Sequence, residues 1–136
     1  MTLHVEVVSP ERILWTGEAQ MVLARTLGGG DIAFLTGHAP FVGALDVHTV
    51  VVRAEDGTDE VIAVHGGFIE VSHDRVTVLS DVAEVSSQID VERARAAQER
   101  AEAAARAGDD VEAEAALRRA HVRLEAATGA SALGAH

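Results

Sequence analysis

The 136-residue chain contains no cysteine. That excludes a disulfide framework, thiolate metal sites and a cysteine nucleophile, and is compatible with a cytosolic protein. It also contains no lysine: all eleven basic residues are Arg. Neither a Schiff-base lysine nor the lysine of a Walker phosphate loop is available. Aromatic residues are 3% of the chain against 48% hydrophobic, so the core must be aliphatic, built from Val, Leu, Ile and Ala. No run of ~18 apolar residues offers a membrane span, and any attachment to a membrane passes through a protein partner. Met1–Ser9 carries His4 and Glu6 without a basic segment and does not read as a signal peptide. The formal net charge of −11 works against a nucleic-acid binder, which needs a basic face to displace counterions.

What is present changes character near Gln88. Residues 1–88 carry four Arg and 13 acidic residues, a balance of −9, and residues 89–136 seven Arg and nine acidic residues, a balance of −2. The first part reads as short strands between turn signals. Leu3, Val5 and Val7 alternate with His4 and Glu6, the period of a half-buried strand, and Pro10-Glu11-Arg12 breaks the run. Met21–Ala24 and Ile32–Leu35 follow, separated by Gly28-Gly29-Gly30-Asp31. Val50–Arg53 and Val61–Val64 flank the acidic turn Glu55–Asp59 with its Asp56-Gly57 pair. Phe68–Val71 and Val76–Leu79 flank Ser72–Arg75. This pattern predicts a small sandwich or barrel.

From Ile89 Gly, Pro and aromatics almost vanish and Ala, the best helix former, dominates. Asp90 is a candidate N-cap, Gly108 a stop, Asp109 or Asp110 the next cap and Gly129 the final stop. The short Gly108-Asp109-Asp110 link folds the two helices back on each other. Ala94, Ala97, Ala101 and Ala104 form one seam, and Ala113, Leu117, Ala120, Leu124 and Ala127 the other. A buried methyl contributes only ~0.8 kcal/mol and helices of this length are marginal alone, so the hairpin is expected to be loosely held. The predicted fold is therefore β plus α: an N-terminal antiparallel β-sandwich (1–88) followed by a C-terminal antiparallel two-helix hairpin (89–136).

This architecture and several collinear motifs resemble the epsilon subunits of F-type ATP synthases. Asp31–Pro40 is similar to that family's segment of an acidic residue, Gly-Ile-Leu and Pro-Gly-His-Ala-Pro, with Ala33 where the family usually has Gly and Thr36 where it has Pro. Gly66–Val71 resembles its Gly-Gly-Phe-Leu-Glu-Val strand, and Ile89–Ala94 its Ile/Leu-Asp-x-x-Arg-Ala motif. The resemblance runs nearly end to end. It implies a non-catalytic subunit at the foot of the central stalk. The sandwich would bind the gamma subunit and the ring of c subunits, with Asp31 and His38 in the loop facing that ring. The hairpin would lie folded or extend along gamma toward the alpha and beta subunits, where it inhibits ATP hydrolysis. The protein would sit peripherally on the cytoplasmic face of the cell membrane, attached through the complex.

The resemblance also implies a regulatory ATP site without any required cofactor. The family pattern falls here on Glu84, Ile89, Asp90, Arg93, Ala94, Arg119 and Arg123. Arg119 and Arg123 are four apart on a helix, and guanidinium forks suit phosphate oxygens. Asp90 offers acceptors for an adenine amino or ribose hydroxyl group, and Ile89 and Ala94 an apolar platform. The bland reading of the same residues is an N-cap and surface ion pairs, with Arg118, Arg119 and Arg123 near a helix C-terminus that favours cations. ATP at 100 times its dissociation constant adds ~2.7 kcal/mol, enough to decide whether an Ala-seamed hairpin folds. The runner-up role of the Arg cluster is docking against an acidic segment of the beta subunit in the extended state.

Other features carry less. Gly28-Gly29-Gly30 lacks a following Gly-Lys-Ser/Thr and precedes a strand, so it is no phosphate loop. The seven His residues lack metal-ligand spacing, and no metal site is expected. His38 reads as a loop residue rather than a catalytic base, Trp15 as a core or interface aromatic, and His65 could point into or out of the sandwich. No acid, base and nucleophile set converges, so no catalytic residue is predicted. The alternative class is a free-standing nucleotide-binding sensor of the same fold, which would bind ATP but not gamma.

Overall fold

The computed structural model describes residues 2–86, 89–107 and 111–128. Eight strands, β1 (Leu3–Val8), β2 (Ile13–Ala19), β3 (Met21–Thr26), β4 (Gly30–Phe34), β5 (Phe41–Arg53), β6 (Asp59–Ser72), β7 (Arg75–Leu79) and β8 (Ala83–Val85), precede two helices, α1 (Val91–Ala107) and α2 (Val111–Thr128). The strand order is β2-β1-β7-β6-β5-β3-β4, with β8 on β6. Every pairing is antiparallel except β1 with β7.

Two layers arise because β5 and β6 are long enough to serve both. Residues 41–45 and 67–72 of these strands join β7, β1 and β2, and residues 45–53 and 59–65 join β3, β4 and β8. The sequence shows β6 as two short apolar runs because Gly66-Gly67 interrupts them. The structure makes it one strand that bends there, with φ of +86° and +125°. A Cβ on Gly67 would stand 2.1 Å from the Leu79 carbonyl oxygen, so the close approach to β7 requires glycine. β2 and the first half of β5 show no clean alternation in the sequence. In both a ring covers a glycine two residues on: Trp15 over Gly17 and Phe41 over Gly43.

The two layers close on Leu3, Val5, Val7, Val22, Phe34, Leu45, Val50, Val52, Ile62, Val64, Ile69, Val71, Val76 and Val78, all buried, with Trp15 packed at the margin. This is the aliphatic core that the composition requires. Turns follow their residues. Ser72–Arg75 closes through His73 and Asp74 at φ +51° and +58°, the left-handed pair of a type I′ hairpin. Gly57 takes φ +88° in the acidic turn.

The outer face of β5 and β6 has its own apolar cluster. Val51, Val61 and Ala63 meet Val122 and Ala126 of α2, with Leu23, Val47 and Ile89 around them. Thus α2 has two contact faces, and the second one is invisible in the heptad-like seam. Of the seam residues, Ala94, Ala101, Ala113 and Ala120 are buried. Ala104 is exposed instead, and Ala105 half-buried, because a 3.6-residue helix drifts away from a strict three-four repeat. The domain change at Gln88, the turn Gly108-Asp109-Asp110 and the stop at Gly129 lie outside the described residues.

Candidate functional site

Where α1 starts, Asp90 acts as its N-cap: Asp90 Oδ1 accepts from Arg93 N at 3.0 Å and Asp90 O from Ala94 N at 2.9 Å. The cap fixes the entry of α1 beside β8 and α2. A cavity of about 450 Å3 opens there, lined by Glu84, Ile89, Asp90, Arg93, Ala94, Ala97, Arg100 and Arg123. That volume is in the range of small-molecule sites. Six of the seven residues picked from the sequence line it. Arg119 does not: its guanidinium donates to Glu112 at 2.8 Å, two turns back along α2. Arg118 is likewise held elsewhere, by Asp46 of β5 at 2.7 Å.

Neither Ala97, read from the sequence only as a seam residue, nor Arg100 was picked for the site. Their signal is helical spacing: Ala97 is one turn and Arg100 two turns beyond Arg93, so all three share the stripe facing the cavity. Three guanidiniums thus meet two carboxylates around an apolar patch of Ile89, Ala94 and Ala97. Arg123 Nε donates to Glu84 Oε1 at 2.7 Å, with both side chains 30% exposed. This ion pair ties α2 to β8. Asp90 Oδ1 is committed to the cap.

Asp31 and His38 have separate partners. Asp31 of β4 receives both Nε (2.8 Å) and Nη2 (3.2 Å) of Arg25, and that pairing holds its carboxyl below the ordinary carboxylate pKa. His38 packs edge-on against Phe34, ring centroids 4.8 Å apart, with Nδ1 2.7 Å from the Ala39 carbonyl oxygen. The loop is fastened to the β6–β7 turn by Gly37 N donating to Asp74 Oδ1 at 2.7 Å.

On the outer face of the first layer lies an apolar row. Ala44, Phe68, Leu79, Val8 and Ile13 stand in register across five neighbouring strands. Phe68 is 57%, Leu79 43% and Ile13 59% exposed, and Val42, one pleat along from Ala44, is 70% exposed. Their chain neighbours Leu45, Ile69, Val78 and Val7 point into the core. With Ala44 and Val8 half-buried, the side chains in register over five strands form a contiguous apolar patch, the mark of an interaction surface rather than scattered surface residues.

Comparison with known proteins agrees with the geometry. The family model of the ATP synthase delta/epsilon chain beta-sandwich domain matches residues 2–86. The ATP synthase epsilon chain of Streptomyces griseus subsp. griseus is 45% identical over 124 residues, which cover 91% of this chain and 94% of that one. That of Streptomyces coelicolor is 46% identical over 127 residues, covering 93% and 96%. Among solved structures, a chain of the Euglena gracilis mitochondrial ATP synthase superposes with a TM-score of 0.78 over 93% of this chain and 81% of that one. At 24% identity this likeness speaks for the fold.

Proposed function

The chain belongs to the family of ATP synthase epsilon chains, and from that premise we propose that it works as a non-catalytic rotor subunit of the central stalk, with a regulatory ATP site under its hairpin. The exposed row from Ala44 to Ile13 supports the stalk role and is the observation on which it rests. An apolar face this wide is the seat for the gamma subunit, and the Thr36–Pro40 loop with Asp31 and His38 is the part turned toward the c ring. Membrane association is then indirect, through the complex at its cytoplasmic face. Among the described residues no helix is long and apolar enough to cross a membrane.

The cavity supports the regulatory role. Ile89, Ala94 and Ala97 offer the base a platform. The second oxygen of Asp90 remains for an amino or ribose hydroxyl group, since capping uses only Oδ1. Arg93, Arg100 and Arg123 converge on the phosphates. A ligand that bridges α1 and α2 holds the hairpin folded on the sheet. Without it the hairpin is free to extend toward the alpha and beta subunits and inhibit hydrolysis. In the folded state Arg119 is a helix-surface residue, and its role, if any, belongs to the extended state.

Co-purification with gamma, followed by ATPase assays of the reassembled motor with and without residues 89–136, tests the first role. Retention by gamma and faster hydrolysis on truncation are expected. Calorimetric titration with ATP tests the second, and no heat up to millimolar ATP would end it. Binding of ATP without binding of gamma would instead favour the free-standing sensor.

A further inference from the structure

The face of β6 beneath α2 is apolar at Val61 and Ala63 and then carries His65. The ring is 4% exposed. Its Nδ1 and Nε2 are, among the described residues, the buried side-chain nitrogens without a hydrogen-bond partner. Gly66-Gly67 bends the strand immediately after it. Glu84 Oε1 is 3.5 Å from His65 Nε2, and this same oxygen receives Arg123 Nε at 2.7 Å. A buried imidazole therefore stands behind the carboxylate that fastens α2 to the sheet.

We propose that His65 is a proton-operated release for α2. With the ring neutral, Glu84 is free to hold Arg123. A protonated ring places a second cation against the same carboxylate oxygen, in a site closed by α2 itself. One carboxylate cannot neutralise both, so the helix that closes the site and carries Arg123 leaves the sheet.

The surrounding charges set the direction. On β8 the facing group is Glu84, and on α2 the facing groups are Arg123 and, farther off, Arg119. On β5, Asp46 is engaged by Arg118. From the start of α1, Asp90 and Arg93 share the cavity with Glu84. Burial holds the pKa of His65 below the ordinary imidazole value; Glu84 opposes this and Arg123 adds to it. Once α2 is off, the ring meets water beside Glu84 and regains an ordinary or higher value. The undocked state then binds the proton more readily. Docking is thus fully favourable above ~7 and weakens as pH falls through ~6.5, by up to about tenfold per pH unit. This release operates on the docked helix with or without a nucleotide, so it stands independently of ATP binding.

The test is hydrogen exchange of the Val122–Ala126 amides in the full chain from pH 8 to 5.5, corrected for intrinsic exchange. Wild-type protection is expected to fall at least severalfold between pH 7 and 5.5, and His65→Gln to show a flat profile. The comparison also controls for His121, the histidine of α2 itself, whose ring lies 4.0 Å from Glu102 of α1. Wild-type protection that stays level or rises in acid overturns the proposal, as does an equal fall in His65→Gln. If His65→Gln undocks α2 at every pH, ring titration of the wild type by NMR decides. A titration below 6.5 that tracks the loss of α2 protection supports the release, and a ring titrating at or above 6.5 refutes it.

Discussion

Asp90 serves two ends with two oxygens. One caps α1, and the other, on a residue that lines the cavity, is the oxygen proposed for the ligand. The two roles separate by substitution. Asp90→Ala should cost about 0.5–2 kcal/mol of stability, the ordinary value of a lost N-cap, measured by urea unfolding followed at the helical circular dichroism band. Asp90→Asn keeps a capping oxygen and should leave stability nearly unchanged while weakening ATP binding. The arginines divide just as sharply. Arg123→Ala removes both the tie to Glu84 and a cavity guanidinium, and should lower ATP affinity at least tenfold. Arg119→Ala, whose partner is Glu112, should change it less than threefold. Calorimetric titration reads both, and equal losses would return Arg119 to the site. The cap was legible in the sequence as a matter of residue type and position, and the arginines were picked through the family resemblance. That Arg119 pairs within its own helix was not legible, since spacing along one helix does not say which partner each side chain reaches.

At the scale of elements, β6 carries the architecture. Its bend at Gly66-Gly67 lets a single strand serve two layers and brings Gly67 against the Leu79 carbonyl. Gly67→Ala should therefore cost about 3 kcal/mol, from a left-handed φ and a backbone clash together, read from the urea midpoint. A loss under 1 kcal/mol would mean the bend tolerates a side chain. In the sequence Gly66-Gly67 looks like a break between strands, because a turn and a bend use the same residue. Helix α2 shows the complementary case. Its alanine seam toward α1 follows from periodicity. Its contact through Val122 and Ala126 with Val51, Val61 and Ala63 depends on which sheet face is left uncovered, and that is a property of the whole sandwich.

For the whole molecule, the exposed apolar row should govern assembly rather than folding. Phe68→Glu is expected to abolish co-purification with gamma while changing stability by less than ~1 kcal/mol, since the side chain is already exposed. Undiminished retention by gamma would move the docking surface elsewhere. Acid should act on the molecule through its carboxylates. Glu18 beside His4, Asp31 beside Arg25 and Asp56 beside Thr58 all have lowered pKa values from those hydrogen bonds. Their stabilisation is present above the unfolded carboxylate value of ~4 and is lost as pH falls through the lower folded values. Thermal midpoints should therefore drop steeply below about pH 4, and Asp31→Asn should make that drop shallower.

The sequence alone determined the aliphatic β-sandwich, the helical hairpin and the capped start of α1. These are written in alternation, composition and spacing, which are local, whereas six of the residues around the cavity were found through the resemblance of its motifs to a family. Only the tertiary structure decided that Gly66-Gly67 bends one strand, that Ala97 and Arg100 complete the cavity and that Arg119 stays outside it. It alone set five strands in register to expose Phe68 and Leu79, and placed His65 beneath α2. Each of these depends on which faces of distant segments meet, and burial is settled only when the layers close.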